Sequence, residues 1–351
     1  MTERPQERSA DEAERGNPHI RLGRVPVRGS RSGLLLAIPL AIGGLHDASA
    51  REAPSGTTDA ELVQSLKDFR SGDAKVNGIH LHYVAGGTGT PLILLPGWPE
   101  TWWQYHKIMP LLARHFHVVS VDIRGMGLSS KPVDGYDKKT MAKDIHELVR
   151  QLGYDKVDIA GHDIGAMVAF AYAAQFPRAT LKLAMMDVPH PDDGWMKIPM
   201  LPQVGKFGTK IDDAHPAYPW FFAFQQVKGL PERLLAGRTA LYLNFCIDYL
   251  TKDSASIDAV DRKVYATEYS VSSADAWFQA FPQDVLDAKQ YPKLEMPVLG
   301  LASINYEGLK ASLEPKAADL RMAKVDNSGH FFPEEQPEAT ARELTDFFTG
   351  P

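Results

Sequence analysis

Three side chains in this 351-residue sequence could cooperate in nucleophilic chemistry: Asp163, Asp187 and His330. Asp163 is the centre of Gly161-His162-Asp163-Ile164-Gly165, between an apolar strand-like run and an Ala-rich helix-like run. Glycines two before and two after a polar residue suit a sharp strand–turn–helix elbow, where a Cβ at either flank would meet neighbouring backbone. The helix that follows would aim its first amides at whatever the central side chain attacks. A carboxylate is already ionised at neutral pH, so it needs no base to attack an electrophilic carbon. The resulting ester would need water to cleave it, and His330, oriented by Asp187, could activate that water. Each residue also has a plainer reading: Asp163 as the N-cap of an ordinary helix, Asp187 as a loop capper, His330 as a surface histidine.

The elements around these residues favour the cooperative reading. Segments 79–85, 91–95, 117–122, 157–160, 181–186, 297–301 and 320–325 read as strands. Helical periodicity marks 139–152, 166–175 and about 337–348. Strands alternating with helices predict an α/β fold with a mainly parallel sheet. Asp163, Asp187 and His330 each follow a strand, and functional groups in such sheets gather beyond the strands' carboxyl ends. Asp187 comes 24 residues and His330 167 residues after Asp163, in the order nucleophile, acid, base. Between 189 and about 290 the alternation stops. Prolines, aromatics and helical stretches such as 230–249 predict a helical insertion capping the sheet. The expected organisation is a tail over 1–50, core over 51–188, cap over 189–290 and core again over 291–351.

These motifs resemble the aspartate-nucleophile branch of the α/β-hydrolase superfamily, the epoxide hydrolases and haloalkane or haloacetate dehalogenases. The resemblance runs from about Asp68 to Phe348. It rests on Pro96-Gly97-Trp98-Pro99-Glu100-Thr101-Trp102, Asp122-Ile123-Arg124-Gly125-Met126-Gly127-Leu128-Ser129, the Gly161–Gly165 segment, Met186-Asp187-Val188-Pro189 and Gly329-His330-Phe331-Phe332-Pro333. It implies an α/β-hydrolase fold, with an eight-stranded, mostly parallel sheet and an inserted helical cap. It also implies Asp163 as nucleophile, Asp187 and His330 as the relay pair, and an oxyanion hole from the backbone N–H groups of Trp98 and Ile164. The implied reaction is hydrolysis of an apolar epoxide to a diol through an alkyl-enzyme ester, with water as co-substrate and no cofactor or metal.

The sequence also departs from the family. Pro96 stands where the family usually has His. The cap segments resembling those that supply ring-opening acids, Tyr218-Pro219-Trp220-Phe221 and Ala276-Trp277-Phe278-Gln279, lack the usual His and second Tyr. Tyr218, Tyr269 and His190 are then the candidate proton donors. Trp220, Phe221, Trp277 and Phe278 are candidate substrate contacts, and their aromatic character points to a small neutral apolar substrate. Indoles such as Trp98, Trp220 and Trp277 could instead hold a departing halide, which keeps haloalkane dehalogenation open. Ile164 and Met167 stand where haloacetate dehalogenases carry Arg, which argues against a small anionic substrate. A non-hydrolytic binding or biosynthetic protein on the same fold also stays open.

Composition sets the outer limits. Net charge is −6 with 44% hydrophobic and 23% charged residues, and no basic cluster lies in the region read as folded, so nucleic acid is not an expected partner. A single cysteine, Cys246, excludes an internal disulfide and any multi-cysteine metal site. Arg21, Arg24, Arg28 and Arg31 precede an apolar run over 33–45 and then Ala48-Ser49-Ala50, the parts of a secretory signal peptide. The expectation is a secreted or periplasmic protein with no integral span after processing, for which an oligomer is compatible.

Overall fold

The computed structural model describes residues 58–198, 201–212 and 215–351. The signal-peptide reading falls outside the described residues. Eight strands form one sheet: β1 (Phe69–Val76), β2 (Ile79–Gly87), β3 (Thr90–Leu95), β4 (Phe116–Val121), β5 (Val157–His162), β6 (Thr180–Met186), β7 (Leu294–Ala302) and β8 (Ala317–Lys324). Their order is β1-β2-β4-β3-β5-β6-β7-β8. β2 pairs antiparallel with both β1 and β4, while every pair from β4 through β8 is parallel. The central strands are buried on both faces: all six residues of β5 and the last four of β3 and β4. That is why they read as continuous apolar runs rather than alternating ones.

β1 is the strand that residue patterning did not single out. Its sequence, FRSGDAKV, is polar and mostly exposed, as an edge strand can be, and Gly72 leaves room for the Tyr83 ring across the pair. Two helices support the sheet where chemistry is expected. Ile164–Gln175 is buried along eleven of its twelve residues and packs on β3, β5, β6 and the Lys138–Gln151 helix. Its many alanines allow that close approach. The Lys138–Gln151 helix starts at Asp137, whose side chain caps the Thr140 N–H.

Among the described residues, six α-helices lie between β6 and β7: Trp220–Gln226, Leu230–Leu235, Thr239–Leu250, Ala259–Thr267, Val271–Gln279 and Phe281–Ala288. The stretch expected as one helix over 230–249 is two, because the chain turns at Ala236 and at Gly237, whose φ is 69°. Among the described residues, no helix is long and apolar enough to cross a membrane.

Candidate active site

β5 ends at His162 and the next helix starts at Ile164, so Asp163 alone makes the turn. Its φ of 50° and ψ of −119° lie outside the regions open to ordinary L-residues. The flanking glycines make the turn possible. A Cβ on Gly161 would stand 2.1 Å from the Gly165 carbonyl oxygen, and one on Gly165 would stand 2.1 Å from that of Leu95. The N-cap alternative for Asp163 is not what forms, since its side chain caps no amide of the helix in that manner. Instead its carboxylate receives hydrogen bonds from the backbone N–H of Ile164 and of Trp98, the latter 3.0 Å from Oδ1. With Pro96 in place of the family's usual residue, the loop still directs the Trp98 N–H onto this carboxylate.

Asp187, at the end of β6, also takes a positive φ, 63°. The backbone N–H groups of Ser303 and Asn305 donate to its Oδ1 at 3.1 and 3.3 Å. Oδ2 is thereby turned to His330, whose Nδ1 donates to it at 2.6 Å. That bond fixes the imidazole so that Nε2 faces Asp163, 3.7 Å from its Oδ2. All three side chains are nearly buried: 8% of Asp163, 1% of Asp187 and 7% of His330 is exposed. Burial pushes the Asp163 carboxyl above the usual range, while His330 and the two amides pull it back. Burial alone would lower His330, but the Asp187 carboxylate, helped by Asp163, carries it above the ordinary histidine value. The group can hold a nucleophile, a base behind it and two donors for an oxyanion.

Above Asp163 opens a cavity of about 690 Å³, walled by Trp98, Phe221, Phe222, Trp195, Leu250 and Ile304 among others. Of the residues expected to bind substrate, Phe221 and Tyr218 line it. Phe221 stacks on Trp98 with ring centres 5.4 Å apart. The backbone N–H and carbonyl of Tyr218 are both held by the Tyr249 hydroxyl. The others are placed elsewhere, each for a physical reason. Phe278 lies behind the wall, edge-on to Trp98. Trp277 is buried with its indole N–H on the Arg124 carbonyl at 2.9 Å. Trp220 packs against Phe221, Tyr242 and Phe245 rather than in the cavity. The Tyr269 hydroxyl accepts from the Trp98 indole at 2.7 Å, which commits that indole N–H, and Tyr269 does not line the cavity. His190 is sealed between Phe170 and Tyr291 with Nδ1 on the Pro191 carbonyl, and burial pushes it down to about 3. Of the three candidate proton donors, only Tyr218 reaches the cavity.

The far wall was not read from the sequence. Trp195, Asp192, Ile304, Asn305, Gly308, Ala311 and Ser312 come from the loop after β6 and from the start and body of the Tyr306–Leu313 helix. Among the described residues, no Lys or Arg lines the cavity, whereas Asp163, Asp187 and Asp192 do.

Residues 90–239 match the family model described as alpha/beta hydrolase fold. A Corynebacterium sp. (strain C12) protein named soluble epoxide hydrolase is 31% identical over 291 residues, covering 78% of this chain and 96% of its own length. The chain belongs to the α/β-hydrolase superfamily. Within it, this α/β hydrolase is an epoxide hydrolase-like hydrolase. A Burkholderia sp. protein named fluoroacetate dehalogenase is 28% identical over 78% of this chain and 92% of its own. The crystal structure of Cfl2 from Burkholderia cenocepacia superposes with a TM-score of 0.70 at 32% identity, covering 80% of this chain and 96% of that one.

Proposed function

We propose that this hydrolase opens an apolar epoxide through Asp163 and releases the diol by hydrolysing the ester so formed. The observation that carries the reading is the Asp163 carboxylate on a strained elbow, with His330 Nε2 3.7 Å away and two backbone amides on the carboxylate itself. In the first half-reaction an Asp163 oxygen bonds to a ring carbon, the carbon–oxygen ring bond breaks, and Tyr218 protonates the departing alkoxide. Phenols ionise only near pH ~10 in water, so a tyrosine is a competent acid at neutral pH.

In the second half-reaction His330 takes a proton from water, and the water oxygen attacks the ester carbonyl. Negative charge then collects on the oxygen facing the Trp98 and Ile164 N–H groups. Donors already in place are worth about 2.7–4 kcal/mol each in comparable sites. Collapse expels the diol oxygen, which His330 protonates. The proton freed with the regenerated carboxylate restores Tyr218, so water and epoxide give diol with nothing left over.

The cavity supports a neutral apolar substrate: it has room for a drug-sized molecule, is walled mainly by apolar side chains and, among the described residues, is lined by no Lys or Arg that would hold a small carboxylate. Dehalogenation is disfavoured because the Trp98 and Trp277 indoles are committed to Tyr269 and Arg124. The test is single-turnover kinetics of Tyr218→Phe on a matched epoxide and bromide. Loss of about 10²–10⁴-fold confined to the epoxide is expected. An unaffected epoxide rate would remove the donor from this reading, and turnover of the bromide alone would replace it with dehalogenation. Turnover of neither would favour a non-hydrolytic role.

A further inference from the structure

Behind the elbow lies a second group of titratable side chains that takes no part in the proposed chemistry. Glu100 and Glu334 are 1% and 2% exposed and lie against each other. Among the described residues, neither Glu100 oxygen nor Glu334 Oε2 has a donor, and Glu334 Oε1 accepts from the Tyr265 hydroxyl at 2.7 Å. Two touching carboxyl groups this deeply buried and this short of donors cannot both ionise, so one proton must lie between them.

The pair abuts a hydrogen-bond chain whose polarity is fixed from one end. The Gly97 N–H, which can only donate, bonds Gln104 Oε1 at 2.9 Å. Gln104 Nε2 must then donate to His162 Nδ1 at 2.7 Å, and His162 Nε2 must donate to the His330 carbonyl at 2.9 Å. The chain therefore joins the loop carrying the Trp98 N–H to the backbone carrying His330, and it works only with a neutral His162. Glu100 Oε2 lies 3.7 Å from His162 Nδ1. A negative charge there would draw a proton onto Nδ1 and oppose the Gln104 amide.

We propose that Glu100 and Glu334 share one proton and act as positioning residues, holding the Trp98 N–H and His330 in register about Asp163 through Gln104 and His162. The other charged or titratable groups facing the pair fit this state. Asp261, from the Ala259–Thr267 helix, is held by the Trp103 indole at 2.8 Å and lies 3.9 Å from His106. Tyr265 comes from the same helix, Lys107 bonds the Glu334 carbonyl at 3.4 Å, and Tyr105 and Asp163 interact electrostatically with Glu100. Burial with Glu334 alongside raises Glu100 well above the carboxylate range, and burial raises Glu334 to about 7.

The test compares wild type with Glu100→Gln and Glu100→Ala. Glutamine cannot ionise, yet its amide can donate to Glu334 as the acid does. The folded protein holds a proton that the unfolded chain releases at lower pH, so wild-type stability falls as pH rises through the folded value. The melting temperature of wild type should therefore decline as pH rises from the ordinary carboxylate range, about pH 4–5, up to the folded value, relative to that of Glu100→Gln. Decay of the Asp163 ester, which does not use the ring-opening donor, should slow at alkaline pH in wild type but not in Glu100→Gln. At pH 7 Glu100→Ala should lose at least about 10-fold in kcat with KM little changed, and Glu100→Gln should keep most of the rate.

Parallel melting profiles for wild type and Glu100→Gln would overturn the shared proton, whether or not a substrate is in hand. Different melting profiles with identical rate profiles would overturn the positioning role. The rate arm rests on the ester mechanism, and the melting arm does not; failure to form any ester would count against that mechanism alone.

Discussion

Asp163→Gly should make this protein more stable while abolishing its activity. At φ 50° and ψ −119° the Asp163 backbone is in a region glycine enters freely and other residues enter at a cost of about 1–3 kcal/mol. Glycine returns about 0.5–1 kcal/mol of that through the greater freedom of its unfolded chain. Removing the side chain also removes a carboxyl whose burial is unfavourable, although it frees the Trp98 and Ile164 amides. Trp98 and Asp163 line the cavity, so a water can take the place of the carboxylate on these amides. Asp163→Asn is the control, because it removes the charge and keeps the backbone strain. The glycine variant should exceed it by roughly 1–2 kcal/mol, or a few degrees in melting temperature at about 2–4 °C per kcal/mol for chains near this size. Thermal denaturation of the two variants side by side reads the difference. A glycine variant melting at or below the asparagine variant would refute backbone strain at Asp163.

Two further outcomes follow. In the free enzyme His330 should titrate on the alkaline side of an ordinary histidine, because Asp187 and Asp163 outweigh its burial. Its charged form then contributes stability at low pH that is lost as pH rises through the folded value. Asp163→Asn should move the NMR titration midpoint of His330 down, as should esterification of Asp163, which leaves the base neutral when water must be activated; an unmoved midpoint would contradict the electrostatic link. We also propose that the Arg-flanked apolar run over 33–45 is an export signal, so N-terminal sequencing of protein from its natural host should begin near Arg51. A retained 1–50 segment would contradict it.

The chemistry was legible where backbone geometry restricts residue type. Gly161 and Gly165 reveal the elbow because a Cβ at either meets a carbonyl at 2.1 Å, and the chain order of Asp187 and His330 then follows from the strands they come after. β1 escaped notice because an edge strand exposes both polar atoms and polar side chains, so FRSGDAKV shows little apolar periodicity. The aromatic residues of the insertion were harder to place. Trp277 and Phe221 look alike in sequence, yet one serves the Arg124 carbonyl and the other faces substrate. Gln104, Glu100 and Glu334 carry no local signal, since their meaning comes from partners 58 to 234 residues away.

The central claim is a covalent ester on Asp163, and the intact mass of His330→Gln after exposure to substrate tests it most directly. Removing the base should leave attack intact and stop hydrolysis, so the adduct should accumulate. An epoxide should add its whole mass, and a halide should add its mass less that of the hydrogen halide. Peptide mapping should place the addition on Asp163 within the segment from Gly161 to Gly165. No mass gain in His330→Gln with a substrate that the wild-type enzyme turns over would contradict the account.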